Sequence, residues 1–212
     1  VESKIDGVYQ IPEGAFYGKK SLIKCILPDK LERISGDNVY YNAAFGDTSL
    51  TGTVQLPEGL KYVSGFHNTK ITNVQFPSTL EEIGYEAFSG CTSLMCEISL
   101  PHSLKRIGDH AFYSSAIKGN LALPEGLEYI GSHAFYGCSG LTGSLTIPSG
   151  VHIIYSLSFS SCGFTGNLTL PMGLTEIQFN AFSDTKFKGE LNIPSTVTTI
   201  GDGAFANTEF NG

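Results

Sequence analysis

The sequence predicts a β-rich α/β solenoid: a stack of about eight to nine coils, each built from a strand, a corner, a short extended piece and a short helix. Two observations carry this. Nine prolines stand at 12, 28, 57, 77, 101, 124, 148, 171 and 194, and from Pro77 onward the gaps are 24, 23, 24, 23 and 23 residues. Around them one phrase returns, as in Leu121-Ala122-Leu123-Pro124, Leu145-Thr146-Ile147-Pro148 and Leu168-Thr169-Leu170-Pro171. A fixed period of this length marks units that cannot bury their own apolar side and stack to do so. At 41% hydrophobic and 16% charged residues, the chain has enough apolar surface to fill a common core.

The stretch Gly119 to Thr142 shows how each element arises. Asn120-Leu121-Ala122-Leu123 alternates polar and apolar, the period of a strand with one buried face. Pro124-Glu125-Gly126 follows as a corner, with proline suited to the second position of a type I turn and glycine to the fourth. Leu127-Glu128-Tyr129-Ile130 is a second, shorter extended piece with Leu127 and Ile130 inward. Ser132 then stands where a helix N-cap would, as do Asp109, Ser156 and Asp202 in other coils. Ile130, Ala134 and Cys138 share one face at helical spacing, with Phe135 beside them. Gly143 turns the chain into the next strand, and Gly52, Gly119, Gly166 and Gly189 hold that slot elsewhere. Nine such coils at a strand spacing of about 4.8 Å make a body roughly 40 Å long.

One domain is expected over 1–212, irregular over about 1–70 and regular over about 71–212. In the irregular part Pro12 lies four residues before Phe16, Pro28 seventeen before Phe45 and Pro57 nine before Phe66, against eleven in regular coils. An insertion of six therefore falls within about 35–43. The chain begins at Val1 without a signal sequence and breaks off at Gly212 where another strand would start. It reads as a fragment or mature form, with further repeats or another domain expected beyond it.

The phrase L-x-I/L-P-x-x-L/V-x-x-I-G-x-x-A-F-x-x-C resembles the BspA-like leucine-rich repeats of bacterial cell-surface proteins. Leu100-Pro101 through Ile107-Gly108 to Ala111-Phe112 carries it, as does Leu123-Pro124 through Ile130-Gly131 to Ala134-Phe135 and Cys138. Ile193-Pro194 through Ile200-Gly201 to Ala204-Phe205 carries it again. Ser158-Phe159 and Gln178-Phe179 depart from it. The resemblance covers essentially the whole chain. It implies a right-handed, curved leucine-rich-repeat superhelix at the cell surface or outside the cell, a frequent association with adhesion, and no catalytic residues. Fold alone does not name a ligand.

The net charge is −7, and no basic stripe appears, which argues against nucleic acid as a partner. No apolar run approaches the roughly 18 residues of a membrane span, so direct membrane insertion is not expected. No glycine-rich phosphate loop, H-E-x-x-H or G-x-S-x-G is present, and no catalytic residue, metal ligand or cofactor is assigned. Cys91, Cys138 and Cys162 share one slot with Ser115 and Thr185. A ladder of buried thiols is the expected state, with a Cys138–Cys162 bridge the alternative. Cys25 falls in an inward strand slot, and Cys96 alone in a turn slot open to solvent. His110 and His133 occupy one slot on successive coils and should stack about 5 Å apart. A metal or pH role is set there against two plain exposed residues on the short helices.

Outward residues before each proline form two files that are small, polar and almost uncharged. Candidate binding residues there are Glu97, Asn120, Ser144, Asn167 and Glu190 in one, and Thr146, Thr169 and Asn192 in the other. They lack the Trp, Tyr and Arg that dominate protein-binding hot spots. Tyr40 and Tyr41 in the insertion are the remaining candidates. The function expected is a non-enzymatic binding or adhesion module of a bacterial surface or secreted protein, engaging a protein or glycan on a host or neighbouring cell. The alternative is a structural spacer, or an accessory domain of a larger extracellular protein, with no ligand of its own.

Overall fold

Proline has no amide hydrogen and cannot extend a strand ladder, so each regularly spaced proline ends an extended run. In the computed structural model, which describes residues 3–5, 8–36 and 43–211, the corner that follows repeats from coil to coil. The proline carbonyl accepts a hydrogen bond from the amide three residues on: Leu127 to Pro124 at 2.9 Å, Val151 to Pro148 at 3.1 Å, Leu174 to Pro171 at 3.0 Å. Proline is thus first in the turn and glycine third, one place earlier than propensity suggests. Its role is to stop the strand before it.

The most continuous sheet lies after the corners. Two-residue strands Arg33–Ile34, Tyr62–Val63, Glu82–Ile83, Arg106–Ile107 and Tyr129–Ile130 pair in parallel with one another, and the first of them pairs with Val8–Ile11. Ser3–Ile5 adds to that edge antiparallel, making seven strands. The file resumes as Ile153–Ile154, Glu176–Ile177 and Thr199–Ile200. Before the prolines, pairing is intermittent: Thr51–Gln55 with Lys70–Gln75, Lys118–Asn120 with Gly140–Thr142, Leu145–Thr146 with Leu168–Thr169. The strand expected at Asn120–Leu123 therefore ends at Asn120.

The short helix predicted after each corner is absent among the described residues. Its segment is a run of turns, and the hydrogen bonds show why. In Gly131–Cys138 the amides of Ala134, Tyr136 and Cys138 close local turns onto Gly131, His133 and Phe135. The amides between them, on His133, Phe135 and Gly137, donate instead to Ser156, Ser158 and Ser160 of the next coil. An α-helix directs every amide along its own axis. Here alternate amides are committed to the neighbouring coil, which forces left-handed backbone at two slots. One holds Glu86, His110, His133, Leu157 and Asn180; the other holds Asp47, Asn68, Gly90, Ser114, Gly137, Ser161, Asp184 and Asn207. Even the N-cap slot works across coils: the Ser132 amide donates to the Asp109 carboxylate at 3.0 Å.

Behind the turns runs the core. Phe16, Phe45, Phe66, Phe88, Phe112, Phe135, Phe159, Phe182 and Phe205 stand in one file, with ring centroids 4.9 to 5.7 Å apart at each step and planes nearly parallel. The file makes about eight turns one solenoid. It stays intact in the irregular first coils, where Phe16, Phe45 and Phe66 stack at 5.1 and 4.9 Å. Tyr40 and Tyr41 lie outside the described residues. No helix of the described residues is long and apolar enough to cross a membrane.

Candidate functional site

The candidate residues before the prolines are all exposed: Glu97, Asn120, Ser144, Thr146, Asn167, Thr169, Glu190 and Asn192. Most of the first file is nonetheless occupied with the scaffold. The Asn120 carboxamide fills the space beside Gly143, Asn167 the space beside Gly189, and Glu97 that beside Gly119. These glycines have φ of 76°, 79° and 82°, so the polar side chain of one coil roofs the left-handed turn of the next. Gly166, in the same slot, lacks the positive φ; there the Ser144 hydroxyl accepts from the Asn167 amide at 3.0 Å. In the second file Thr146 lies directly opposite Thr169. Asn120 lies opposite Thr142, two residues short of Ser144. The span from Phe135 to Pro148 is one residue longer than that from Phe112 to Pro124, and the register slides to absorb it.

A different surface gathers the residue types that bind proteins. The first residue of each two-residue strand points outward, and the parallel register sets Arg33, Tyr62, Glu82, Arg106 and Tyr129 side by side. Arg33 sits over the Tyr62 ring at 3.6 Å, and Arg106 over the Tyr129 ring at 4.1 Å. Arg106 also faces Glu82 at 3.8 Å. The Tyr129 hydroxyl donates to Asp109 at 3.0 Å, and its ring lies 5.1 Å from that of Tyr155. Burial first, and then the Asp109 carboxylate, push the Tyr129 phenol up to about 12. The hydroxyl is thus held neutral as a donor. Tyr62 leans into the space left by Gly84. The result is a shallow depression of about 360 Å³ lined by Arg33, Tyr62, Arg106 and Tyr129 together with Gly108 and Asp109.

Beside it lies a cluster of rings. His110 and His133 stack at 4.6 Å with planes 7° apart, as their shared slot predicts. They sit on left-handed turns rather than helices and are half-buried, and each Nδ1 is buried without a hydrogen-bond partner. Tyr85 packs edge-on against His110, while Tyr113 and Tyr136 stack on each other alongside. Burial first, then repulsion from His110, lower the His133 pKa, with Asp109 opposing. Asp109 precedes His110 in the chain, and the fold brings the same carboxylate to act on His133 of the next coil.

The sequence pattern does not reveal this file. It presents the piece after the corner as a second, shorter one, whereas that piece carries the continuous sheet. The available signal was Ile-Gly at Ile83-Gly84, Ile107-Gly108 and Ile130-Gly131, which leaves a side-chain-free strip beside the outward residue.

The cysteines are free thiols. Cys91, Cys138 and Cys162 are buried, and each donates to the phenylalanine carbonyl of the preceding coil, at 3.2, 3.1 and 3.1 Å. Burial pushes Cys91 up to about 11 and Cys138 up to about 12. Cys25 is half-buried on an irregular segment rather than inward on a strand, and Cys96 is half-buried rather than open. Among the described residues no three His, Cys, Asp or Glu side chains are grouped as a metal site would require.

A model of the family described as BspA type leucine-rich repeat region, in six copies, matches residues 9–119, 64–163 and 112–211. No curated protein matches the chain in sequence. Among solved structures it is similar to a leucine-rich cell-surface protein from Faecalibacterium prausnitzii, at 28% identity and TM-score 0.57, covering 76% of this chain and 47% of that one. A leucine-rich-repeat protein from Bacteroides ovatus shares 23% identity at TM-score 0.51, over 73% of this chain and 45% of that one. The leucine-rich-repeat protein of T. pallidum shares 24% identity at TM-score 0.50, over 77% and 69%. These last two likenesses concern the fold. The chain spans about half the length of the B. ovatus and F. prausnitzii proteins.

Proposed function

The chain belongs to the BspA-type leucine-rich-repeat family, and from that membership we propose that it is a non-enzymatic binding module of a bacterial surface or secreted protein. The observation that carries this reading is the file of Arg33, Tyr62, Glu82, Arg106 and Tyr129 on one rigid sheet. Arginine and tyrosine dominate protein-binding hot spots, and side chains already fixed by their neighbours lose little freedom on association. The partner is a protein on a host or neighbouring cell, contacted across the depression. The exposed files of Glu97, Asn120, Ser144, Asn167, Glu190, Thr146, Thr169 and Asn192, together with Tyr40 and Tyr41, form a second contact for peptide or glycan. Surface location is supported by the likeness to the F. prausnitzii cell-surface protein.

Two observations favour the alternative of a spacer. Asn120 and Asn167 are engaged in roofing glycines of the next coil, and both Tyr62 and Tyr129 already carry an arginine on one face. The two readings separate on an array of extracellular-matrix proteins and surface glycans. A binder returns at least one protein hit that is saturable and lost on Arg106→Ala with Tyr129→Ala. A spacer returns none. A Tyr40→Ala, Tyr41→Ala double variant on the same array reports on the insertion.

A further inference from the structure

Thr51–Gln55 is a strand with one side paired and the other open. Its partner is Lys70–Gln75, and the bonds from Lys70 to Leu50 at 2.8 Å and from Leu56 to Gln75 at 3.1 Å show which backbone groups face that partner. In a strand, alternate residues present their backbone to opposite sides. Thr51, Thr53 and Gln55 therefore face the other way, toward the segment 23–29 of the preceding coil. That segment makes a single hydrogen bond to the strand, from the Thr51 amide to the Ile23 carbonyl at 3.1 Å, and then diverges. The coils stay closed at the phenylalanine file, where Phe16, Phe45 and Phe66 remain stacked, but gape here. The gap is a groove of about 520 Å³, within the roughly 300–1,000 Å³ of ligand-binding clefts. Ile23 and Ile26 stand exposed at 61% and 84% on the diverging segment. Lys24, Asp29 and Glu58 also line the groove, and the Glu58 carboxylate accepts from the Ser78 amide at 3.3 Å and the Ser78 hydroxyl at 3.0 Å in the following coil, which leaves Asp29 as the free carboxylate past the strand's C-terminal residue.

We propose that this groove takes an extended peptide segment of a partner protein, which adds as a strand to the open side of Thr51–Gln55. The occupant is peptide because Thr53 and Gln55 offer backbone donors and acceptors at strand spacing. Its direction is parallel, since every described pair among the strands before the prolines is parallel. Its chemistry follows from charge: a parallel peptide brings its C-terminal end to Asp29, with Glu58 behind it, so a basic residue belongs there, and apolar residues belong opposite Ile23 and Ile26. This site is separate from the arginine–tyrosine file and stands or falls independently of it.

The test uses the 212-residue chain and two synthetic peptides of alternating threonine and valine, one ending in two lysines and one in two glutamates. Cys25 lines the groove and is half-buried, whereas Cys91, Cys138 and Cys162 are buried and Cys96 lies elsewhere. Maleimide labelling of Cys25 therefore reports occupancy, with Cys96 as internal control. The lysine-ended peptide is expected to bind and to slow labelling of Cys25 but not of Cys96. Asp29→Lys with Glu58→Lys is expected to reverse the preference toward the glutamate-ended peptide by about tenfold or more, the scale on which like charges oppose docking. Gln55→Pro removes an amide that faces the groove and is expected to weaken the lysine-ended peptide. A failure of both peptides to bind overturns the proposal. So does binding that leaves Cys25 labelling unchanged, or a charge-reversed protein with unchanged preference.

Discussion

Phe135 is buried between Phe112 at 5.3 Å and Phe159 at 5.5 Å, with no solvent on either face of the ring. Replacing it by alanine opens a cavity that coils locked above and below cannot fill, and the expected loss is about 3–5 kcal/mol. Urea unfolding measures it, and a loss under about 1 kcal/mol contradicts the packing described. His133 sets a pH dependence. Its folded pKa is lowered, by burial first and by His110 second, against Asp109; Tyr85, Tyr113 and Tyr136 complete its surroundings. A histidine lowered on folding takes up its proton first in the unfolded chain. The stability it contributes is complete above the unfolded value near 6.5, approximately, and is lost as pH falls through that region. The urea midpoint should drop on acidification, and His133→Gln should flatten the drop. Equal pH profiles for both proteins would show that this histidine plays no part. The stacking of His110 on His133 was legible from their shared slot. Their orphaned Nδ1 atoms and the approach of Asp109 were not, because they depend on a left-handed backbone that no histidine announces.

At the scale of elements, the turn run after each corner is where local sequence misleads. Ile130, Ala134 and Cys138 have helical spacing, and Ser132 is a plausible cap. Bonding to the next coil overrides both by claiming alternate amides. That competition is invisible within one repeat and exists only between repeats. It makes left-handed backbone a requirement at Gly137 and Ser161, with φ of 72° and 58°. A side chain in that conformation costs about 1–2 kcal/mol. Gly137→Ala should therefore destabilise by about 1 kcal/mol or more, and Ser161→Gly should stabilise by a few tenths to about 1 kcal/mol. Thermal and urea unfolding of the pair decide it, and the same sign of change in both variants would refute the account. Far-UV circular dichroism should show no helical double minimum. The proline corners, by contrast, were readable from spacing, since a missing amide hydrogen ends a strand wherever it falls.

For the whole molecule, period and composition were enough to foresee stacked coils, because a repeated unit with one apolar side has few other ways to bury it. They were not enough to find the candidate face. Arg33, Tyr62, Glu82, Arg106 and Tyr129 are separated by 29, 20, 24 and 23 residues, and the irregular early spacings hide a file that strand register makes exact neighbours. The regular polar files before the prolines drew attention by their uniformity, and much of that uniformity follows from a constant structural task over the glycine turns. The measurement that bears most directly on the account compares two double variants for affinity toward the protein partner returned by the array. Arg106→Ala with Tyr129→Ala should weaken binding by about tenfold or more, as removal of central hot-spot residues does, while Thr146→Ala with Thr169→Ala, on the second contact, should weaken it less. Full affinity in the first variant and loss in the second would place function on the other face and contradict the account.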